Sequence, residues 1–378
     1  MSDQGVSLSK QLSRRHLGKI ALGTLGATQL GWSRFGASQK QATSTAAPQH
    51  LTKMRLGCAC VANATDEDLL FYKQVGVDCV HVSGRLPEYK TVEGMLSVKK
   101  RFSDAGLVID SVKSDAVDSL VADIVLNRPG RDQAVEAYKA LIRVQAGAGF
   151  PYIPQMFNVT GAISSGLAET RASKARDCDL SSSELSGVYA RGVKGSASAL
   201  LFGREYSKDE IWANYTHFMK EVVPVADEAG VRIGFHPDDP PTPSQFGVAH
   251  IFSTFEDYKT ALKIANSPNV GVCLCVGSWA EGGAAMGIDA PGAIRYFSAK
   301  KQLFEIHFRN VSSPLPHFHE TYVDNGYYDM YKVMKTLVDV KYDGIVQLDH
   351  DVPMVGGLRS YEAFALGYMR AMLQCAQA

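Results

Sequence analysis

The chain of 378 residues sets 39 lysines and arginines against 39 aspartates and glutamates, so its formal charge at pH 7 is +0. With no basic cluster beyond the N-terminus, the composition argues against a nucleic-acid partner. The seven cysteines, Cys58, Cys60, Cys79, Cys178, Cys273, Cys275 and Cys375, are an odd set without disulfide-scaffold spacing, and read as buried thiols with one available as a metal ligand.

Residues 1–50 read as a leader and polar linker. Ser13-Arg14-Arg15-His16-Leu17-Gly18-Lys19 precedes an uncharged stretch from Ile20 to Trp32, followed by a Gln/Ala/Thr/Ser/Pro tract. A twin arginine ahead of a modest apolar region is the pattern of a Tat export signal. The stretch is short and rich in Gly and Thr for a membrane span. The Tat translocase is then a transient partner, and the destination is periplasmic or otherwise exported. Because that route carries folded proteins, a metal is loaded before export and free thiols are compatible with the destination.

Residues 51–378 alternate short apolar runs with helical patterns. Strands are expected at Met54 to Cys60, Val77 to Ser83, Leu107 to Val112, Tyr152 to Phe157, Val231 to Phe235, Val270 to Cys275, Leu303 to Phe308 and Gly344 to Leu348. Helices are expected at Thr65 to Val75, Val92 to Ala105, Asp132 to Ala148, Lys208 to Ala229, Ser253 to Ala265, Pro291 to Lys300, Asp329 to Val338 and Ser360 to Leu373. Ser253 with Glu256 reads as a capping box, and Pro291 sits near a first turn. Eight strand–helix pairs predict a (β/α)8 TIM barrel, an α/β fold, and the missing Gly-rich fingerprint after the first strand weighs against a dinucleotide-binding sheet. The polar, Gly/Ser-rich connection Asn158 to Tyr206 is a long insertion after strand 4. Its place on the functional face of a barrel suggests a lid, or an arm reaching a second copy in a homo-oligomer.

In a parallel barrel the C-terminal strand ends converge on one mouth. The last four runs end on His236, Cys275, His307 and Asp349, which are 39, 32 and 42 residues apart. Two imidazoles, a thiolate and a carboxylate suit one divalent transition ion, Mn, Fe, Co or Zn. Each residue alone has a plain structural explanation, and the coincidence at four consecutive ends carries the inference. Cys273 competes with Cys275, since strand alternation puts both on one side, and the later residue is nearer the mouth. His350, beside Asp349, is the candidate acid/base. Arg309 is placed to hold an anionic or hydroxylated part of a substrate. The loop His317-Phe318-His319-Glu320 brings His319 and Glu320 to the same mouth. Asp238 and Asp239 read as supports for the ligands or as helix-capping acids.

Several of these blocks resemble one family in order: HPDDPP at His236 to Pro241, C-x-G-S at Cys275 to Ser278, H-x-R at His307 to Arg309, FHE at Phe318 to Glu320, and the closing Asp349-His350. They are similar to mannonate dehydratase of the UxuA type. Trp212 to Tyr215, Val223 to Gly230 and Phe157-Asn158 extend the likeness, which covers about residues 130 to 350. The resemblance implies a barrel related to xylose isomerase and a divalent metal, commonly manganese. It also implies loss of water from D-mannonate to give 2-keto-3-deoxy-D-gluconate. His236, Cys275, His307 and Asp349 would be the ligands and His350 the acid/base. The chain departs from the family where RPDHG becomes Gln347-Leu348-Asp349-His350-Asp351 and where a family histidine falls on Val323. The segment after the last strand is also shortened, to Val352 to Gly357.

Three functions compete: a metal-dependent lyase on a sugar acid; an exported isomerase, epimerase or eliminase on a neutral or keto-sugar; and a silent barrel that binds a sugar or a metal.

Overall fold

The apolar runs become strands because each is long enough to cross a barrel wall and is followed by a helix that buries its outer face. The computed structural model describes residues 53–84, 87–114, 121–187 and 194–378; the expected export signal lies outside them. The wall strands are β1 (Arg55–Val61), β2 (Cys79–Gly84), β3 (Ile109–Ser114), β4 (Tyr152–Gln155), β5 (Arg232–Phe235), β6 (Val270–Cys275), β7 (Leu303–Phe308) and β8 (Ile345–Leu348). They form one sheet in the order β3-β2-β1-β8-β7-β6-β5-β4, and every ladder is parallel. Among the described residues no ladder joins β3 to β4. On that side the buried Gln145 side chain donates to the Val112 carbonyl at 2.9 Å, so this backbone acceptor is satisfied from a helix instead of a strand.

Helices α1 (Asp66–Val75), α2 (Val92–Asp104), α3 (Arg131–Gly147), α4 (Lys208–Ala229), α5 (Phe255–Ala265), α6 (Ala290–Ala299), α7 (Met330–Asp339) and α8 (Leu358–Gln377) alternate with the strands. Thr65 and Ser207 open α1 and α4 with complete capping boxes, and Gly76 and Gly230 close them in the left-handed region. At α5 the expected cap is one residue off. Thr254 accepts from the Asp257 backbone, and the Ser253 hydroxyl bonds the Asp257 carboxylate instead. None of the described helices is long and apolar enough to cross a membrane. All seven cysteines are free thiols, and only Cys375 is exposed.

The insertion after β4 is built of short antiparallel strands. Gly166–Thr170 and Ser173–Asp179 form a hairpin whose two loop residues, Arg171 and Ala172, both have positive φ, as a type I′ turn requires. Ser173–Asp179 then pairs with His317–Thr321 of the loop after β7, and that strand pairs with Asn310–Val311. A second, smaller core of Ile163, Cys178, Leu185, Phe246, Val311 and Phe318 lies beneath this sheet. Burying an aromatic such as Phe318 contributes about 1.5–3 kcal/mol. The described part of the insertion is therefore fixed to the C-terminal mouth by both ladder and core.

One buried acid of the barrel wall gives a pH prediction. Glu362 on α8 accepts a hydrogen bond from the Tyr72 hydroxyl at 3.1 Å, and its other oxygen is buried without a partner. Burial, then the nearby Asp351, push its carboxyl from 4.5 up to about 7. The raised value means the native state binds the extra proton between these two pH values, so stability falls as pH rises through that window. Glu362→Gln is expected to unfold like the wild type at pH 5 and at a higher temperature than the wild type at pH 8, by thermal unfolding at both.

Candidate metal centre

His236, Cys275, His307 and Asp349 stand at the ends of β5, β6, β7 and β8. Strand register puts Cys275 opposite His307 and His307 opposite Gln347, so the donors share one level of the barrel. One ligand atom from each of the four lies within 4.8 Å of all the others. The two imidazole rings are 4.9 Å apart between centroids. His236 Nδ1 is 2.7 Å from the Pro237 carbonyl. A carbonyl only accepts, so Nδ1 carries the proton and Nε2 is left with its lone pair free for a ligand. Burial, and then His307, lower the His236 imidazole to about 3, which keeps it neutral.

Cys273 sits one layer deeper and donates its thiol to Glu305 at 3.4 Å, whereas Cys275 lies 3.5 Å from Asp349. Cys275 is thus the thiol that joins the other three donors. Burial pushes it up from its ordinary value against the pull of Arg309, and a cation at this place favours the thiolate. His307 has Asp349 3.5 Å from Nδ1 and Glu305 3.5 Å from Nε2, yet neither buried ring nitrogen has a hydrogen-bond partner. An orphaned imidazole between carboxylates is costly to bury unless something binds it. Two imidazole nitrogens, a thiol and a carboxylate, one ring without a hydrogen bond, fit a divalent transition ion.

The acids around this set are held by two arginines. Arg309 is 1% exposed. It donates from Nε to Asp349 (3.1 Å), from Nη1 to Glu281 (2.7 Å) and Glu320 (3.2 Å), and from Nη2 to Asp239 (2.7 Å) and Ser278 (3.3 Å). This corrects the expectation that Arg309 meets substrate: it is enclosed, and its donors are committed to protein carboxylates. Arg176, from the insertion, adds bonds to Glu320 (3.0 and 2.7 Å), Asp239 (3.0 Å) and Glu281 (3.3 Å). Neither Arg176 nor Glu281 stands out in the sequence. Arg176 lies in a polar stretch with no motif, and Glu281 lies in a short helix after the C-x-G-S block. Asp239 therefore supports the arginines. Asp238 takes Asn158 Nδ2 at 2.9 Å and the Phe252 backbone at 3.0 Å, so neither aspartate caps a helix.

His350 has φ +54°, an uncommon conformation for a residue with a side chain. Its Nδ1 is 2.7 Å from Glu320. Burial raises the Glu320 carboxyl, but Arg309, His350 and Arg176 outweigh it and hold Glu320 ionised. An ionised carboxylate only accepts, so His350 Nδ1 is the donor and Nε2 is the nitrogen left for proton transfer. His319 is on the opposite face of its strand from Glu320, half-buried, and the structure does not bring it to this group. The exposed His317 beside it bonds Asp177 at 2.9 Å.

A cavity of about 260 Å³ opens on the donors and is lined by Lys113, Gln155, His236, His307, Gln347 and His350 among others. Gln347 is among the lining residues, and its side-chain oxygen is buried without a hydrogen-bond partner. Val323 is fully buried in the apolar core.

The chain is similar in sequence and fold to known mannonate dehydratases. Residues 191–371 match the family described as D-mannonate dehydratase (UxuA). A mannonate dehydratase of Streptococcus suis is 30% identical over 298 residues, covering 74% of this chain and 79% of that protein. One from Thermotoga neapolitana is 29% identical over 306 residues, covering 74% and 82%. The crystal structure of mannonate dehydratase from Streptococcus suis serotype 2 superposes with a TM-score of 0.72 at 25% identity, covering 85% of this chain and 93% of that one. D-psicose 3-epimerase from Clostridium cellulolyticum, at 15% identity and a TM-score of 0.56 over 85% of this chain and 99% of that one, shares the fold.

Proposed function

The chain belongs to the mannonate dehydratase family, and from that premise we propose that it is a metal-dependent hydro-lyase converting D-mannonate to 2-keto-3-deoxy-D-gluconate. The observation that carries the reading is the set His236, Cys275, His307 and Asp349 within 4.8 Å, with His350 beside it. These four would hold one divalent ion, manganese by the family's habit. When bound, the ion acts as a Lewis acid on substrate oxygens, acidifying the proton next to the carboxylate.

The protein's own residues do the rest. His350 Nε2 is the place where a proton is taken from or given to substrate, and Glu320 fixes the tautomer that makes this possible. Arg309 and Arg176 hold Glu320, Asp239 and Asp349 in place without touching substrate. In the reaction the carbon next to the carboxylate loses its proton and the neighbouring carbon loses its hydroxyl. That hydroxyl leaves as water after accepting a proton, and the resulting enol becomes the keto group.

The test is turnover by metal-loaded protein on a panel of D-mannonate, other aldonates and neutral keto-sugars, with detection of the 2-keto-3-deoxy product. Product from D-mannonate is expected; turnover of only the neutral sugars would defeat the reading.

We propose also that the enzyme acts after export, a reading supported by Ser13-Arg14-Arg15 and the apolar stretch behind it. Arg14→Lys with Arg15→Lys is expected to leave the protein inside the producing cell, as seen by fractionation. Unchanged export of that variant would refute a Tat route.

A further inference from the structure

Loss of water moves protons at two neighbouring carbons: one leaves the carbon next to the carboxylate, and one joins the departing hydroxyl. His350 serves one of these steps. Four histidines line the cavity, of which His236 and His307 belong to the metal set and His350 follows β8. The fourth, His81, stands on β2, with β1 between its strand and β8.

His81 Nδ1 is 2.7 Å from the Ser111 hydroxyl, which donates to Asp110 Oδ2 at 2.9 Å. A hydroxyl has one proton to give, so Ser111 accepts from His81 Nδ1 and Nε2 keeps its lone pair. All three side chains are buried. Strict strand alternation would turn Asp110 away from Ser111. The β2–β3 ladder pairs Val80 with Ile109 but His81 with Ser111, so Asp110 is an extra residue on β3, a bulge that re-aims its side chain. Burial above all lowers the His81 imidazole to about 4, against the pull of Glu305, so the ring is neutral and holds a proton poorly. Burial, then Glu305, raise the Asp110 carboxyl from 3.8 to about 7, and its Oδ1 has no hydrogen-bond partner. A proton arriving at His81 Nε2 therefore has somewhere to go.

We infer that His81 Nε2 is the base that takes the proton from the carbon next to the carboxylate, and that Ser111 relays a proton onward to Asp110. This rests on the sugar-acid lyase reading above. The C–H bond breaks and its proton bonds Nε2, while the Nδ1 proton passes to Ser111 and the Ser111 proton to Asp110. The electron pair left on carbon forms the double bond as the neighbouring hydroxyl leaves with a proton from His350. Asp110 and the enol hydroxyl then each hold a proton to return. One goes to the carbon that lost its hydroxyl, giving the keto acid, and the other restores His350. His81 is thus a catalytic residue, and Ser111 and Asp110 are positioning residues that act through it.

The test compares turnover of D-mannonate with that of D-mannonate deuterated on the carbon next to the carboxylate, using metal-loaded wild type, His81→Gln and Ser111→Ala. Metal content and D-mannonate affinity are measured in each. His81→Gln is expected to lower kcat about 10²- to 10⁴-fold with metal content and affinity unchanged. Its isotope effect on kcat is expected to exceed that of the wild type, because breaking the C–H bond becomes the slow step. Ser111→Ala removes a single hydroxyl and is expected to cost about ten-fold in kcat, with the same rise in isotope effect. In His350→Asn the isotope effect is expected to shrink, since departure of the hydroxyl becomes slow. Wild-type kcat in His81→Gln, or lowered kcat in both variants without a rise in isotope effect, overturns the inference. If His81→Gln does not fold, wild-type kcat in Ser111→Ala overturns it instead. The two readings separate cleanly. Wild-type protein that yields no product from D-mannonate defeats the lyase, whereas dehydration by His81→Gln at the wild-type rate keeps the lyase and removes the relay.

Discussion

Changing His307 to alanine is expected to strip the enzyme of its metal and to lower kcat by about a thousand-fold or more. Metal polarisation of a substrate oxygen supplies several kcal/mol, and each 1.36 kcal/mol is a factor of about ten in rate. His307 is the telling ligand because its ring has Asp349 on one side and Glu305 on the other, and no hydrogen bond to either. Its loss also takes the ring away from two buried carboxylates, so the metal-free variant is expected to unfold below the metal-free wild type and each protein serves as its own metal-free reference. What should vanish is the upward shift in unfolding temperature on adding metal, since a ligand that binds only the native state stabilises it by mass action. Elemental analysis after gel filtration reads the metal; thermal unfolding with and without added metal reads the linkage. A His307→Ala protein that keeps one equivalent of metal would remove it from the ligand set.

The second large effect is expected at His350, and it should have the opposite signature. Removing the acid/base is expected to lower kcat by about 10²- to 10⁴-fold while leaving metal content and KM near the wild type. The choice of substitution matters because His350 sits at φ +54°. Asparagine tolerates the left-handed region better than most residues, so in His350→Asn the loss reports chemistry more than backbone strain. Glu320→Gln is expected to lower kcat as well, since it weakens the bond that fixes the His350 tautomer along with the contacts to Arg309 and Arg176, so its kcat is read beside thermal unfolding. Paired measurement of kcat and metal content decides the case. A His350→Asn enzyme with full kcat would assign the proton transfer elsewhere.

The barrel was legible because its signals are local: eight short apolar runs, each stopped by a loop and followed by a helical period. The candidate site was legible because metal-competent side chains stand at four consecutive strand ends. What escaped was set by contacts the sequence does not mark. The insertion hairpin turns on Arg171-Ala172, neither of them the Gly or Asn that announces a type I′ turn, so its strands read as loop. Arg176 has no motif and reaches the site only through pairing of its strand with His317–Thr321. Arg309 stands two residues after His307, as a substrate-facing residue would. Only its burial against Glu281 and Asp239 shows that it works inside the wall. His319 fails for the simplest reason, since strand alternation gives the inward face to Glu320.

Two positions depart from the motifs that the chain resembles. Gln347 lines the cavity without a charge, and Val323 is buried in the apolar core.

The central claim is that one metal on His236, Cys275, His307 and Asp349 drives dehydration of a sugar acid. Titrating metal-free protein with Mn²⁺ while following 2-keto-3-deoxy-D-gluconate released from D-mannonate tests it most directly. The account predicts that the rate climbs with added metal and breaks at one equivalent per chain. Full activity in the metal-free protein, or no product at any metal ratio, would contradict it.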